Sequence, residues 1–213
     1  MRPFDPTLYL ITDERLSRGR SSVEIARAAI DGGATAIQLR DKHLSAREQY
    51  AIGRELRILT RTMGVPLICN DRIDLALAID ADGVHLGQDD LSTDTARAIL
   101  PLGRLVGISA GNAAEFAAGG GAGADYLGVG PFATTASKSD AGAAIGAMGI
   151  RIVRVLTDRP IVAIGGITQD LIPAAIAAGA DGVAVISAIV GAQDPRAAAR
   201  ALREAVEAAR RIS

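Results

Sequence analysis

The chain has 213 residues, 49% of them hydrophobic and 22% charged, with 23 Lys and Arg against 24 Asp and Glu for a formal net charge of −1. That balance leaves no basic footprint for nucleic acid or an anionic membrane, and no apolar run reaches the ~20 residues of a bilayer span. One cysteine, Cys69, and two histidines exclude an intrachain disulfide and leave too few ligands for a His/Cys zinc site. The first residues, MRPFDPTLYLITDERL, lack the charged-then-apolar layout of a secretion signal, and a cytoplasmic location is expected.

In chain order, short Val/Ile/Leu-rich runs fall at residues 8–12, 34–40, 66–70, 83–87, 105–109, 126–130, 161–165 and 182–187. Between them lie stretches of helical period, among them SSVEIARAAI, SAREQYAIGRELRILTRTM, GIRIVRVL and PRAAARALREAVEAARR. Near-continuous apolar strands alternating with amphipathic helices predict a parallel sheet covered by helices. Eight such units predict an α/β fold, a single (β/α)8 TIM barrel over residues 1–213 at the compact end of its size range. The segments DGGATAI, DADGVHL, GAGADYL and AGADGV recur before every second strand, as a twofold-repeating barrel requires.

The polar residues gather where the apolar runs stop. The first run ends at Thr12-Asp13, the second at Gln38-Leu39-Arg40-Asp41-Lys42 and the third at Asn70-Asp71. The next ones end at Gln88-Asp89-Asp90, Ser109, Gly130-Pro131, Gly165-Gly166 and Ser187. In a β/α barrel these ends converge on the face that holds the active site. Arg40, Lys42 and Lys138 suit phosphate oxygens, and Gly165-Gly166 with Ile186-Ser187 falls where this fold cradles a phosphate on backbone N–H groups. Asp71 and Asp90 suit Mg²⁺, which is ordinarily held by one or two carboxylates plus substrate phosphates. Two anion sites and a divalent cation imply two phosphorylated substrates, at least one a diphosphate.

Each residue also has a plainer reading. Arg40 and Lys42 are equally read as solvated loop cations, Asp71 as an N-cap for a helix starting at Arg72, and Asp89-Asp90 as a lead into the helix after Ser92. The Gly-Gly pair serves equally as a turn. His85 reads as a packed or rim histidine rather than a catalyst, and Cys69 as a core thiol.

Taken together, QLRDK (38–42), CNDR (69–72), GVHLGQDDL (83–91), GVGP (128–131), AIGGI (163–167) and VIS (185–187) resemble the thiamine-phosphate synthase family, in order along most of the chain. The resemblance implies a barrel transferase that joins an aminopyrimidine diphosphate to a thiazole phosphate, giving thiamine phosphate and pyrophosphate. It implies that Gln38, Arg40 and Lys42 hold the pyrimidine diphosphate, with Asn70 on the ring and Ser109 and Lys138 on the diphosphate side. It further implies Mg²⁺ on Asp71 and Asp90, and the thiazole phosphate at Thr135, Ser137, Gly166, Ile186 and Ser187. The chain departs from the family pattern at Ser137 and Ser139, where a Thr and a second Lys are usual, and at Ala110-Gly111, where a histidine often stands. A thiazole tautomerase-like paralogue, a non-catalytic phosphate-binding barrel and a sugar-phosphate isomerase remain as alternatives. The expected partners are small molecules, not nucleic acid or membrane, with a homodimer as the candidate assembly.

Overall fold

The computed structural model describes residues 4–135 and 142–212. Eight strands follow one another: β1 (Leu8–Ile11), β2 (Ala36–Leu39), β3 (Leu67–Asn70), β4 (Gly83–Leu86), β5 (Leu105–Ser109), β6 (Tyr126–Val129), β7 (Ile161–Ile164) and β8 (Gly182–Val185). Each pairs in parallel with the next, and β8 closes on β1 through Leu8↔Val183 and Leu10↔Val185. The fold is the expected closed (β/α)8 barrel. The strands are shorter than the apolar runs, because the run ends, such as Arg40 after β2, turn out of the sheet into the mouth.

Nine α-helices are present among the described residues: α1 (Ser22–Asp31), α2 (Ala46–Met63), α3 (Ile73–Ala78), α4 (Thr93–Ile99), α5 (Ala113–Ala118), α6 (Gly146–Arg154), α7 (Ile172–Ala177), α8 (Ser187–Val190) and α9 (Pro195–Arg210). The extra one relative to the sequence reading is α8, a single turn that follows β8 directly. Reciprocal capping boxes start α1 and α2, pairing Ser21 with Glu24 and Ser45 with Glu48, so two otherwise unpaired amide groups are satisfied at each start.

Alternation along each strand separates two cores. Leu8, Leu10, Ile37, Leu39, Leu67 and Cys69 face the helices, where they join Ile25, Leu56, Val153 and Val206. Tyr9, Ile11, Ala36, Ile68, Leu105, Tyr126, Val162 and Ala184 fill the barrel interior, with Phe4 beneath them. Cys69 is therefore a core thiol, fully buried, and its burial pushes the thiol up to about 12.

The recurrence before every second strand has a physical cause at the bottom of the barrel. Thr35 Oγ1 accepts the Leu8 N–H at 3.0 Å, while Asp82, Asp125 and Asp181 each accept an N–H, from Leu67, Val106 and Ile161, at 2.8 Å. The side chain ahead of each even strand thus ties down the first or second residue of the odd strand before it. Arginines from the helices complete the three acidic cases: Arg57 reaches Asp82 at 2.6 Å, Arg97 reaches Asp125 at 2.6 Å and Arg154 reaches Asp181 at 3.0 Å.

Candidate active site

The mouth opens over a cavity of about 550 Å³, within the size range of small-molecule sites. Its wall includes Gln38 and Arg40 from β2 and its end, Asn70 from β3, His85 from β4 and Ser109 from β5. Thr135, Gly165, Gly166, Ile186 and Ser187 line the other half. The structure therefore brings together Gln38, Arg40, Asn70, Ser109, Thr135, Gly166, Ile186 and Ser187 from the sequence reading. Ser137 and Lys138 lie outside the described residues.

Arg40 is held at the wall rather than solvated. Its backbone N–H donates to Thr12 Oγ1 at 3.0 Å, and Thr12 Oγ1 donates back to the Arg40 carbonyl at 3.2 Å. The Arg40 guanidinium stands 3.7 Å from buried Asp13, which neutralises part of its charge without closing off its other N–H groups. Asp41, beside it, spends its carboxylate on the N–H groups of Glu14 and His43, which fixes the loop that carries Lys42. The plain reading of Arg40 as a loop cation is set aside by this burial; Lys42 is more exposed, at the rim.

Asp71 does not cap a helix. The helix α3 starts one residue later than the capping reading requires, with Arg72 at its N-cap and no side-chain cap bond. Asp71 itself takes a left-handed backbone, φ 61°, with its N–H donating to the His85 carbonyl at 2.8 Å. This conformation is uncommon outside Gly, Asn and Asp, and it brings the carboxyl within hydrogen-bonding reach of Asp90. Burial, then Asp90, pushes the Asp71 carboxyl up to about 6, against the pull of Lys42 and Arg40. Lys42 Nζ lies 3.9 Å from Asp71, and Gly87 N–H donates to Asp90 at 2.6 Å. Ser92 caps α4, which begins at Thr93, so Asp89 and Asp90 lead into that helix as the plainer reading has it.

Two facing carboxylates that lack a full positive counter-charge form a hard oxygen donor set. This suits Mg²⁺, which keeps waters and takes further oxygens from substrate phosphates. No group of three or more His, Cys, Asp and Glu poised for a metal occurs among the described residues.

The opposite half is built from backbone. Gly165 and Gly166 have φ of 88° and 66°, and a Cβ on Gly166 would stand 2.7 Å from the Thr134 carbonyl. Phe132 N–H donates to Ile164 O at 2.7 Å, and Ala133 N–H donates to Gly165 O at 2.9 Å. The loops after β6 and β7 are thus stitched together beside the first turn of α8. The Gly-Gly pair is a turn, and it also forms the cavity wall.

Sequence reasoning missed Tyr9 and Tyr126. Both sit in strand positions that read as ordinary core, yet Tyr9 Oη accepts from Gln38 Nε2 at 2.8 Å and lies 3.0 Å from Tyr126 Oη. His85 is the packed rim histidine expected, with Nδ1 3.2 Å from Tyr126 Oη and Nε2 3.0 Å from Ser109 Oγ. The signal available was Gly107: a Cβ there would lie 2.1 Å from the Tyr126 ring.

A closed barrel whose strand ends open on a cavity, with Arg40 in its wall and a carboxylate pair beside Lys42 at the rim, belongs to the class of β/α-barrel enzymes. Residues 8–189 match the family described as thiamine monophosphate synthase, and the chain belongs to that family. It is 52% identical over 203 residues to the thiamine-phosphate synthase of Moorella thermoacetica, covering 95% of this chain and 97% of that one. It is 53% identical over 209 residues to the thiamine-phosphate synthase of Xanthobacter autotrophicus, covering 98% and 99%. Among solved structures, thiamine phosphate pyrophosphorylase from Pyrococcus furiosus superposes with a TM-score of 0.88 at 43% identity, covering 97% of this chain and 98% of that one.

Proposed function

We propose that this chain is a thiamine-phosphate synthase. It joins 4-amino-2-methyl-5-hydroxymethylpyrimidine diphosphate to 4-methyl-5-(2-phosphooxyethyl)thiazole, releasing pyrophosphate. Near-full-length identity of about half to synthases of that name supports the reading. The observation that carries it is that Arg40 and Gly165-Gly166 line one cavity, with the Asp71–Asp90 pair beside Lys42 at the neighbouring ends of β3 and β4.

In this reading Gln38 and Asn70 orient the aminopyrimidine, while Arg40, Lys42, Ser109 and Lys138 donate to its diphosphate. Asp71 and Asp90 would hold Mg²⁺, which when bound supplies neutralising charge to the departing diphosphate. The methylene C–O bond breaks with both electrons leaving on the diphosphate, and the electron-rich aminopyrimidine carries the resulting benzylic cation. The thiazole nitrogen then donates its lone pair to that carbon. Thr135, Ser137, Gly166, Ile186 and Ser187 hold the thiazole phosphate, so that this nitrogen faces the cation and little further chemistry is required. No nucleophile–base pair is needed, and the donors around the diphosphate stabilise charge where it develops.

A tautomerase-like paralogue or a silent phosphate binder has no use for the Asp71–Asp90 pair. The reading includes a cytoplasmic location and small-molecule partners, with a second copy as the candidate assembly; no helix among the described residues is long and apolar enough to cross a membrane. The test is Asp71→Ala and Asp90→Ala. Each is expected to lower turnover by at least ~10³-fold, a loss in the range of removed charge stabilisation, with the circular dichroism of the wild type. Near-wild-type turnover in either variant overturns the metal assignment.

A further inference from the structure

Five polar side chains form one hydrogen-bonded chain through the barrel interior. It runs from Gln38 Nε2 to Tyr9 Oη (2.8 Å), on to Tyr126 Oη (3.0 Å) and His85 Nδ1 (3.2 Å), and from His85 Nε2 to Ser109 Oγ (3.0 Å). Its middle is dry: Tyr9 and Tyr126 are at most 1% exposed, with Phe4 stacked on Tyr126 at 4.2 Å. Its two ends, Gln38 and Ser109, both line the cavity.

Counting protons orders the chain. A phenol has one proton to give. Tyr9 Oη accepts from Gln38, so its own proton goes to Tyr126 Oη. Tyr126 in turn donates to His85 Nδ1, which leaves the imidazole proton on Nε2 and directs it to Ser109 Oγ. The Ser109 hydroxyl proton then remains for an acceptor in the cavity, and Gln38 keeps its Oε1 as an acceptor at the other end. Burial raises both phenols above their ordinary value, so each keeps the proton that the count requires. Bonds aligned head to tail polarise one another in a low-dielectric interior.

We propose that Gln38, Tyr9, Tyr126, His85 and Ser109 form a one-way hydrogen-bond chain that couples recognition of an amine at Gln38 to donation toward an anion at Ser109, with Tyr9, Tyr126 and His85 as positioning residues. Reversing the chain requires the Gln38 amide to turn over and every proton to move. The reversed chain presents N–H at Gln38 and a lone pair at Ser109, which is wrong for an amine at one end and wrong for a diphosphate at the other. A 4-aminopyrimidine diphosphate satisfies both ends in the observed direction. A 4-oxopyrimidine diphosphate places an acceptor at Gln38, which demands the reverse order and removes the Ser109 donor. The choice of pyrimidine rests on the function proposed above; the proton order does not.

The test reads the two separately. In ¹⁵N-labelled protein, well above the ordinary imidazole pKa of ~6.5, the ring nitrogen shifts report the tautomer of His85. The chain has only two histidines, and His43→Gln assigns the signals. The unliganded wild type is expected to show His85 with its proton on Nε2, and Tyr126→Phe is expected to convert it to a mixture of tautomers. A proton on Nδ1 in the wild type, or an unchanged tautomer in folded Tyr126→Phe, overturns the order. In turnover, Tyr9→Phe releases the Gln38 amide and is expected to lower the preference for the amino- over the oxopyrimidine diphosphate by at least ~10-fold, because an unpinned amide can turn to suit either ligand. Full retention of that preference overturns the coupling. If neither pyrimidine reacts and His85 carries its proton on Nε2, the proposed function fails while the proton order stands.

Discussion

Replacing Asp71 by Asn separates the stability of the carboxylate pair from its use. Asn keeps the shape of the side chain and tolerates the left-handed φ of 61° at this position. Folding lifts the Asp71 carboxyl from 3.8 to about 6. At ~1.4 kcal/mol per pH unit, an ionised Asp71 opposes folding by roughly 3 kcal/mol at neutral pH. The side chain is 29% exposed, and solvent screening reduces this to about 1–2 kcal/mol. Because the folded state holds the proton more tightly than the unfolded chain, the destabilisation is absent below about pH 4, develops as pH rises through 6, and is constant above it. In metal-free buffer at neutral pH, Asp71→Asn is therefore expected to raise the melting temperature by about 3–6 °C for a chain of this size. Near pH 4 no difference is expected, and turnover with Mg²⁺ is lost throughout. Calorimetric melting at the two pH values is the assay. Equal melting at neutral pH, or an equal gain at both pH values, refutes the reasoning.

Mg²⁺ affinity, measured by titration calorimetry in the presence of pyrophosphate, is expected to weaken about tenfold per pH unit below 6, as Asp71 takes up its proton; an affinity flat from pH 7 to 5 contradicts it. Gly166→Ala forces a Cβ to 2.7 Å from the Thr134 carbonyl at a φ of 66°. The KM for the thiazole phosphate is expected to rise at least ~10-fold while that for the pyrimidine diphosphate stays within about twofold, since the two halves of the cavity are built from different loops. Asp82→Ala leaves the Leu67 N–H without its acceptor and Arg57 with only its longer ion pair to Asp80. It is expected to cost about 1–3 kcal/mol in urea denaturation, with kcat unchanged because Asp82 sits at the far end of the barrel. Gly107→Ala drives a Cβ to 2.1 Å from the Tyr126 ring; overpacking of about 1–3 kcal/mol, seen as a lower urea midpoint, is expected.

The barrel was legible because the parallel sheet has both faces buried, so each strand, such as IVAI in β7, reads as a continuous apolar run. The ends of those runs exposed Arg40, Asn70, Asp71 and Ser109, since a residue that follows a barrel strand has little choice but the mouth. Distances were not legible. The left-handed turn at Asp71, which decides between a helix cap and a partner for Asp90, depends on how β3 and β4 are registered at Asn70↔His85. Tyr9 and Tyr126 escaped notice for another reason. A tyrosine in an apolar strand gives no sign of where its hydroxyl goes, and the answer came from Gln38 and His85, 29 and 41 residues away. Lys42 is the converse case: its charge is plain in sequence, but only the structure assigns it to the rim beside Asp71.

The proposed reaction brings two phosphorylated substrates into this cavity, where one loses its diphosphate. Purified protein mixed with the aminopyrimidine diphosphate, the thiazole phosphate and Mg²⁺ is expected to release pyrophosphate and thiamine phosphate in equal amounts, with neither formed when the thiazole phosphate is omitted. Folded protein that yields no thiamine phosphate under these conditions contradicts the account.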